Sequence, residues 1–152
     1  MASESEFVSF LLRAKRATYA SGAASIGSSR PASTDLRYAT GDYLYLDTYL
    51  GSRDFIGEEA VWYRGNPVWG MNYHGLMLVD SIPDGFSEIL HAALFAVPSE
   101  APFRGPAEFN LGDFRYTCHW QGNLERFDGQ ECIEHRGRPI YELIFHGGKI
   151  ST

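Results

Sequence analysis

Two glutamates stand in matching surroundings, Glu59 in Gly57-Glu58-Glu59 and Glu131 in Gly129-Gln130-Glu131. Two carboxylates held close together cannot both ionise freely, so one keeps a proton near neutral pH and can act as acid or base. The competing reading is that each pairs with an arginine or caps a strand end. Arg30, followed by Pro31, and Arg104, followed by Gly105-Pro106, sit in comparable loops. The planar guanidinium fork suits a carboxylate or phosphate on a ligand; equally, each arginine can pair with the acid that opens the next strand, Asp42 or Asp113. His74 and His146 each precede a glycine. Imidazole can serve as base or metal ligand, but no His-x-x-x-His or mixed Cys/His spacing supports a zinc site, and a turn role competes. Cys118 and Cys132 form no Cys-x-x-Cys and read as small buried hydrophobes. The aromatics Tyr45, Trp69, Tyr73, Tyr116 and Tyr141 read as core, with polar tips that also suit a half-buried pocket. No nucleophile elbow, P-loop, dinucleotide fingerprint or metalloprotease pattern occurs. No cofactor and no metal is expected.

These residues need elements to position them. Ser3 and Glu6 have the spacing of a capping box. Phe7, Phe10, Leu11, Ala14 and Thr18 continue as a helical stripe, Arg13, Lys15 and Arg16 lie where the helix dipole favours cations, and Gly22 is a plausible stop. Residues 21–40 read as a Ser/Gly/Pro-rich loop. Three strand-like runs follow, Tyr43 to Leu50, Phe55 to Trp62 and Pro67 to Tyr73, separated by turn residues. A second helix starts near Asp84, buries Phe86, Ile89, Leu90, Ala93, Leu94 and Val97, and ends at Pro98. After a Pro-rich loop come three more strand-like runs, Phe114 to Trp120, Phe127 to Glu134 and Pro139 to Phe145.

The second set of runs resembles the first residue by residue. Gly41-Asp42-Tyr43-Leu44-Tyr45 matches Gly112-Asp113-Phe114-Arg115-Tyr116, and Gly51 matches Gly122. With one extra residue in the second turn, Phe55-Ile56-Gly57-Glu58-Glu59 matches Phe127-Asp128-Gly129-Gln130-Glu131, Arg64-Gly65-Asn66-Pro67 matches Arg136-Gly137-Arg138-Pro139, and His74-Gly75 matches His146-Gly147. The expected architecture is α+β: two tandem diverged α-β-β-β repeats, about 3–80 and 81–150, related by a pseudo-two-fold, with helices packed on antiparallel sheet. Neither unit alone closes a core; two together do. Pockets favour such junctions, where two walls converge.

The bulk properties narrow the classes. A chain of 152 residues is one domain of ordinary size. With 13 basic against 19 acidic residues and a formal charge of −6, it lacks the clustered basic patch of a nucleic-acid binder. No apolar run is long enough to span a bilayer, and the acidic Met1 to Glu6 segment is no signal peptide. A cytoplasmic location is expected.

Ser28-Ser29-Arg30-Pro31, Gly57-Glu58-Glu59, the stretch Pro67 to Tyr73, Phe103-Arg104-Gly105-Pro106 and Phe145-His146-Gly147-Gly148 together make the chain similar to a bacterial domain-of-unknown-function family, DUF5680, along nearly its whole length. Members of that family are often found behind an XRE-type helix-turn-helix domain, which implies a sensor or effector-binding role. No such domain is expected ahead of the first helix, so DNA binding is not carried over. The leading expectation is a sensor-like or accessory small-molecule-binding domain, with a pocket between the repeats drawn from Arg30, Tyr45, Glu59, Trp69, Tyr73, Arg104, Tyr116, Glu131 and Tyr141. The alternatives are a small enzyme using Glu59 or Glu131 as acid/base, and a protein-interaction module working through a sheet edge or a homodimer face.

Overall fold

Burying one face of long amphipathic strands requires a cover, and the two helices supply it. In a computed structural model, residues 2–18, 20 and 25–152 are described. Helix α1 spans Glu4–Ala17. The strands β1 (Thr34–Thr40), β2 (Tyr43–Gly51), β3 (Phe55–Tyr63) and β4 (Asn66–Met77) follow it. Helix α2 (Phe86–Phe95) opens the second half, with β5 (Glu108–Leu111), β6 (Phe114–Asn123), β7 (Arg126–His135) and β8 (Arg138–Lys149) behind it. The fold is α+β, with all strands in one antiparallel sheet ordered β1-β2-β3-β4-β8-β7-β6-β5. Two four-stranded meanders are thus joined by pairing β4 with β8, from Trp69 opposite Lys149 to Met77 opposite Tyr141.

Each half carries one strand more than the sequence predicts. β1 lies inside the segment read as a loop, and β5 lies in the Pro-rich connection. Both are edge strands. β1 buries only part of its length and β5 is largely exposed, so neither shows the clean alternation that marks a half-buried strand. The hairpins β3–β4 and β7–β8 are closed by Arg64-Gly65 and Arg136-Gly137, all four at positive φ. Two such residues make the tight turn whose twist matches the flanking strands.

The capping box on α1 is present, with Ser3 Oγ accepting from Glu6 N–H and the Glu6 carboxylate accepting from Ser3 N–H. The predicted stop at Gly22 lies outside the described residues; Thr18 is the C-cap, and its hydroxyl donates to Ala14 O at 2.7 Å. Helix α2 has Gly85 rather than Asp84 as its N-cap, at φ 95 and with no side-chain cap hydrogen bond. Phe10, Leu11 and Ala14 of α1 and Ile89, Leu90, Ala93 and Leu94 of α2 are buried. They meet one sheet face that carries Tyr45, Val61, Trp69, Met71, Tyr116, Ile133, Tyr141, Leu143 and Phe145. Burying a large side chain contributes about 1.5–3 kcal/mol relative to leaving it exposed, so this one face dominates the stability. No helix among the described residues is long and apolar enough to cross a membrane.

Candidate functional site

Strand alternation sends every second side chain to the helix-covered face. On β2 that selects Tyr45 and Asp47, on β3 Glu59, on β4 Trp69 and Tyr73; on β6 Tyr116 and Cys118, on β7 Glu131, on β8 Tyr141. All are buried. Three carboxylates therefore enter an otherwise apolar core, and each needs partners, because a buried charge without them is very costly.

Glu131, 0% exposed, is fully engaged. Arg104 donates from Nη2 to Oε1 at 2.7 Å and from Nε to Oε2 at 3.1 Å. The Tyr116 hydroxyl donates to Oε2 at 2.5 Å and the Tyr141 hydroxyl to Oε1 at 2.7 Å. Tyr116 in turn accepts from Gly105 N–H at 2.8 Å, which fastens the loop carrying Arg104. That loop is buried from Ala101 through Gly105, so the arginine reaches the carboxylate from beneath the sheet face.

Glu59 is held more sparingly. Lys15 of α1 donates to Oε1 at 2.7 Å, and the Tyr45 hydroxyl to the same oxygen at 2.5 Å. Lys15 also donates to Phe103 O at 2.8 Å, tying α1 to the Arg104 loop. Asp47, opposite Glu59 in the β2–β3 register, accepts the Tyr73 hydroxyl at 2.6 Å. The Arg104 guanidinium lies 5.4 Å from the centre of the Tyr73 ring, and the Lys15 ammonium 5.7 Å from that of Trp69. Contacts therefore run unbroken from the Glu59 group to the Glu131 group.

Burial shifts the titrations. Asp47 is pushed up to about 7, chiefly by burial and then by the charge of Glu59. Burial lowers Lys15, against the opposing pull of Glu59. Burial and the neighbouring carboxylates raise Tyr45, Tyr73 and Tyr116 well above the ordinary phenol value, so these hydroxyls stay protonated donors. Burial, followed by Glu131, pushes the Cys118 thiol up to about 12, which leaves it an inert thiol.

Tyr45, Glu59, Tyr73, Arg104, Tyr116, Glu131 and Tyr141 thus join one buried polar cluster, and Trp69 borders it. Glu59 and Glu131 do not meet. They lie on β3 and β7 with β4 and β8 between, about 14 Å apart across the sheet, and Glu131 falls in the register row of Phe55 rather than that of Glu59. Each is instead engaged by its own cation and tyrosine. Arg30 is exposed in the turn before β1, with its backbone N–H on Ser33 Oγ. Neither Arg30 nor Arg104 pairs with Asp42 or Asp113; those acids hold Arg64 and Arg136 of the hairpin turns. His74 and His146 are exposed on the opposite sheet face, next to Ile144 and Asn72 respectively in the register. No cluster of three potential metal-binding side chains occurs among the described residues. Lys15 and Asp47 escaped the sequence reading. The signals were a lysine four residues after Leu11 on the buried helical stripe, and an aspartate in alternation with Tyr43, Tyr45 and Tyr49 on one strand face.

Two spaces adjoin the cluster. A cavity of about 10 Å³ is bounded by Lys15, Ala20, Tyr45, Glu59, Leu94, Phe103 and Arg104, room for one water. A cleft of about 390 Å³ opens between the start of α1 and the junction of the halves. Phe7, Tyr43, Tyr63, Val68 and Trp69 wall it from the first half, and Leu124, Lys149 and Ile150 from the second. Its rings form a chain: Phe7 lies 6.0 Å from Trp69 and 6.2 Å from Tyr43, and Tyr43 lies 4.9 Å from Tyr63. The indole N–H of Trp69 is buried and has no partner among the described residues. A larger hollow of about 590 Å³ on the other side of Tyr43 and Tyr63 is wider open and lined largely by polar groups, among them Ser5, Ser9, Arg13 and Asp42.

A family model described as a domain of unknown function, DUF5680, matches residues 47–150, a span that contains all of the cluster except Lys15 and Tyr45. No curated protein matches the chain, and no solved structure does.

Proposed function

The chain belongs to the DUF5680 family, and from that premise we propose that it is a small-molecule-binding domain, sensor-like or accessory, whose ligand enters the cleft between its two halves. One observation carries the reading: the cleft of about 390 Å³ takes an aromatic wall from the first half and the apolar Leu124 and Ile150 from the second, within the size range of small-molecule sites. Beneath it the buried cluster holds the strands and the Arg104 loop in fixed positions, so the walls are preorganised, and preorganised walls lose less entropy on binding. The same reading takes the two halves as diverged tandem copies related by a pseudo-two-fold. Support comes from the matched segments, from the mirrored strand order and from the matching register shifts in the two inner hairpins, at Val61/Trp62 and at Ile133/Glu134.

The test is thermal-shift screening against a broad metabolite panel, followed by Leu124→Arg, which places a charge in the cleft wall at a half-buried turn position. A ligand of the folded state raises the melting temperature by mass action, and the variant abolishes that shift while folding normally. A panel that never shifts the unmodified protein, or a shift that survives Leu124→Arg unchanged, removes the proposal.

A further inference from the structure

We infer that the buried cluster is a one-proton switch, in which Asp47 exchanges a proton with solvent while both buried cations stay committed to the other two carboxylates. Three acids, Asp47, Glu59 and Glu131, share two buried cations, Lys15 and Arg104. Arg104 is spent on Glu131 through two hydrogen bonds and Lys15 on Glu59 through one. Among the described residues Asp47 has no ion pair. Its hydrogen-bond partner is the Tyr73 hydroxyl, although the residue is 2% exposed.

The surroundings of Asp47 can be taken element by element. Its own strand places Tyr45 on the same face, with its hydroxyl turned to Glu59. β3 sets Glu59 directly opposite, β1 sets the apolar Leu36 opposite, and β4 supplies Tyr73. Helix α1 contributes Lys15 and the buried loop after α2 contributes Arg104; both cations act on Asp47 at longer range. With Asp47 protonated, the cluster holds two cations and two anions and is neutral. With Asp47 ionised, it holds one uncompensated buried charge next to Glu59, a costly arrangement. The direction of the Asp47 titration, upward to about 7, agrees with this count.

Ionised Asp47 repels Glu59, which lies directly opposite and is held by the Lys15 ammonium. That ammonium ties α1 to the sheet and to the Arg104 loop through Phe103 O. Loss of the proton therefore loosens the contact between α1 and that loop, around the small cavity they share. Because the folded-state value lies above the ordinary 3.8, folding takes up a proton between those two values. Stability from this group is complete below about 4, falls as pH rises, and is gone above about 7.

The decisive experiment is a carbon-detected NMR titration of the side-chain carboxylates, with the Asp47 signal assigned by its loss in Asp47→Asn. The expected midpoint lies near neutral pH; a midpoint below about 5 overturns the switch. Urea unfolding from about pH 5 to about pH 8 provides the second measurement. Asn imitates the protonated acid, so Asp47→Asn does not lose stability over this range as the unmodified protein does. Parallel pH profiles overturn the inference. Should Asp47→Asn fail to fold, Asp47→Cys, the residue found opposite Glu131 in the second half, gives the same comparison.

Discussion

The Glu59 and Glu131 sites use the same strand positions to opposite effect. In both, the glutamate lies on the third strand of its half and takes a hydroxyl hydrogen bond from a tyrosine on the strand before, Tyr45 or Tyr116. The neighbours then diverge. Glu131 faces Cys118 and gains a second hydroxyl from Tyr141. Glu59 faces Asp47, whose partner is Tyr73, and Trp69 stands where the second half has Tyr141. Glu131 is therefore a closed site, with one charge pair and four donors. Among the described residues the Glu59 site is the open one: it has fewer donors, a surplus acid, a water-sized cavity, and an indole N–H without a partner. Similar strand positions do not dictate a shared electrostatic state, because the facing residue, the second hydroxyl and the cation all differ between the two sites.

That contrast can be broken by removing the cations. Arg104→Leu should have the largest effect, about 3–5 kcal/mol of lost stability, because it strands the most deeply buried carboxylate. Lys15→Met should cost less, about 1–3 kcal/mol, since Glu59 keeps Tyr45 and can recruit a water from the adjoining cavity. Chemical denaturation of both variants checks the order, and a larger loss for Lys15→Met would dissolve the distinction between closed and open sites. Tyr141→Phe sharpens it: one of four donors to Glu131 is lost, at a cost of about 1 kcal/mol. The smallest effects belong to the exposed turn pairs. Asp42→Asn and Asp113→Asn should leave the melting temperature nearly unchanged, and equally so, because Arg64 and Arg136 are solvated and screened.

Much of the cluster was legible in the sequence because strand alternation is a strong constraint. Once Tyr45, Glu59, Trp69, Tyr73, Tyr116, Glu131 and Tyr141 are placed on strands, their shared face follows. What escaped depended on contacts between distant segments. Lys15 has the right position for a cation favoured by the end of its helix, and only the packing of α1 on the sheet turns it inward. Asp47 looks like a polar interruption until Glu59 is set opposite it. Arg30 and Arg104 look alike beside their prolines, yet the segment around Arg104 folds beneath the sheet face while residues 25–32 stay exposed. The edge strands β1 and β5 were missed because one-sided partial burial leaves little pattern. The antiparallel character and both helices were readable from turn chemistry and periodicity, which are local.

The position of β8 has a consequence for biosynthesis. It is the last strand in chain order, yet it lies at the middle of the sheet, between β4 and β7. While the nascent chain emerges from the ribosome, the first meander waits with the backbone of β4 unpaired along one side, a row of amides and carbonyls able to recruit a neighbouring polypeptide. Completion of the sheet therefore depends on its final segment, and a chain cut short before Arg138 would leave both meanders with open inner edges.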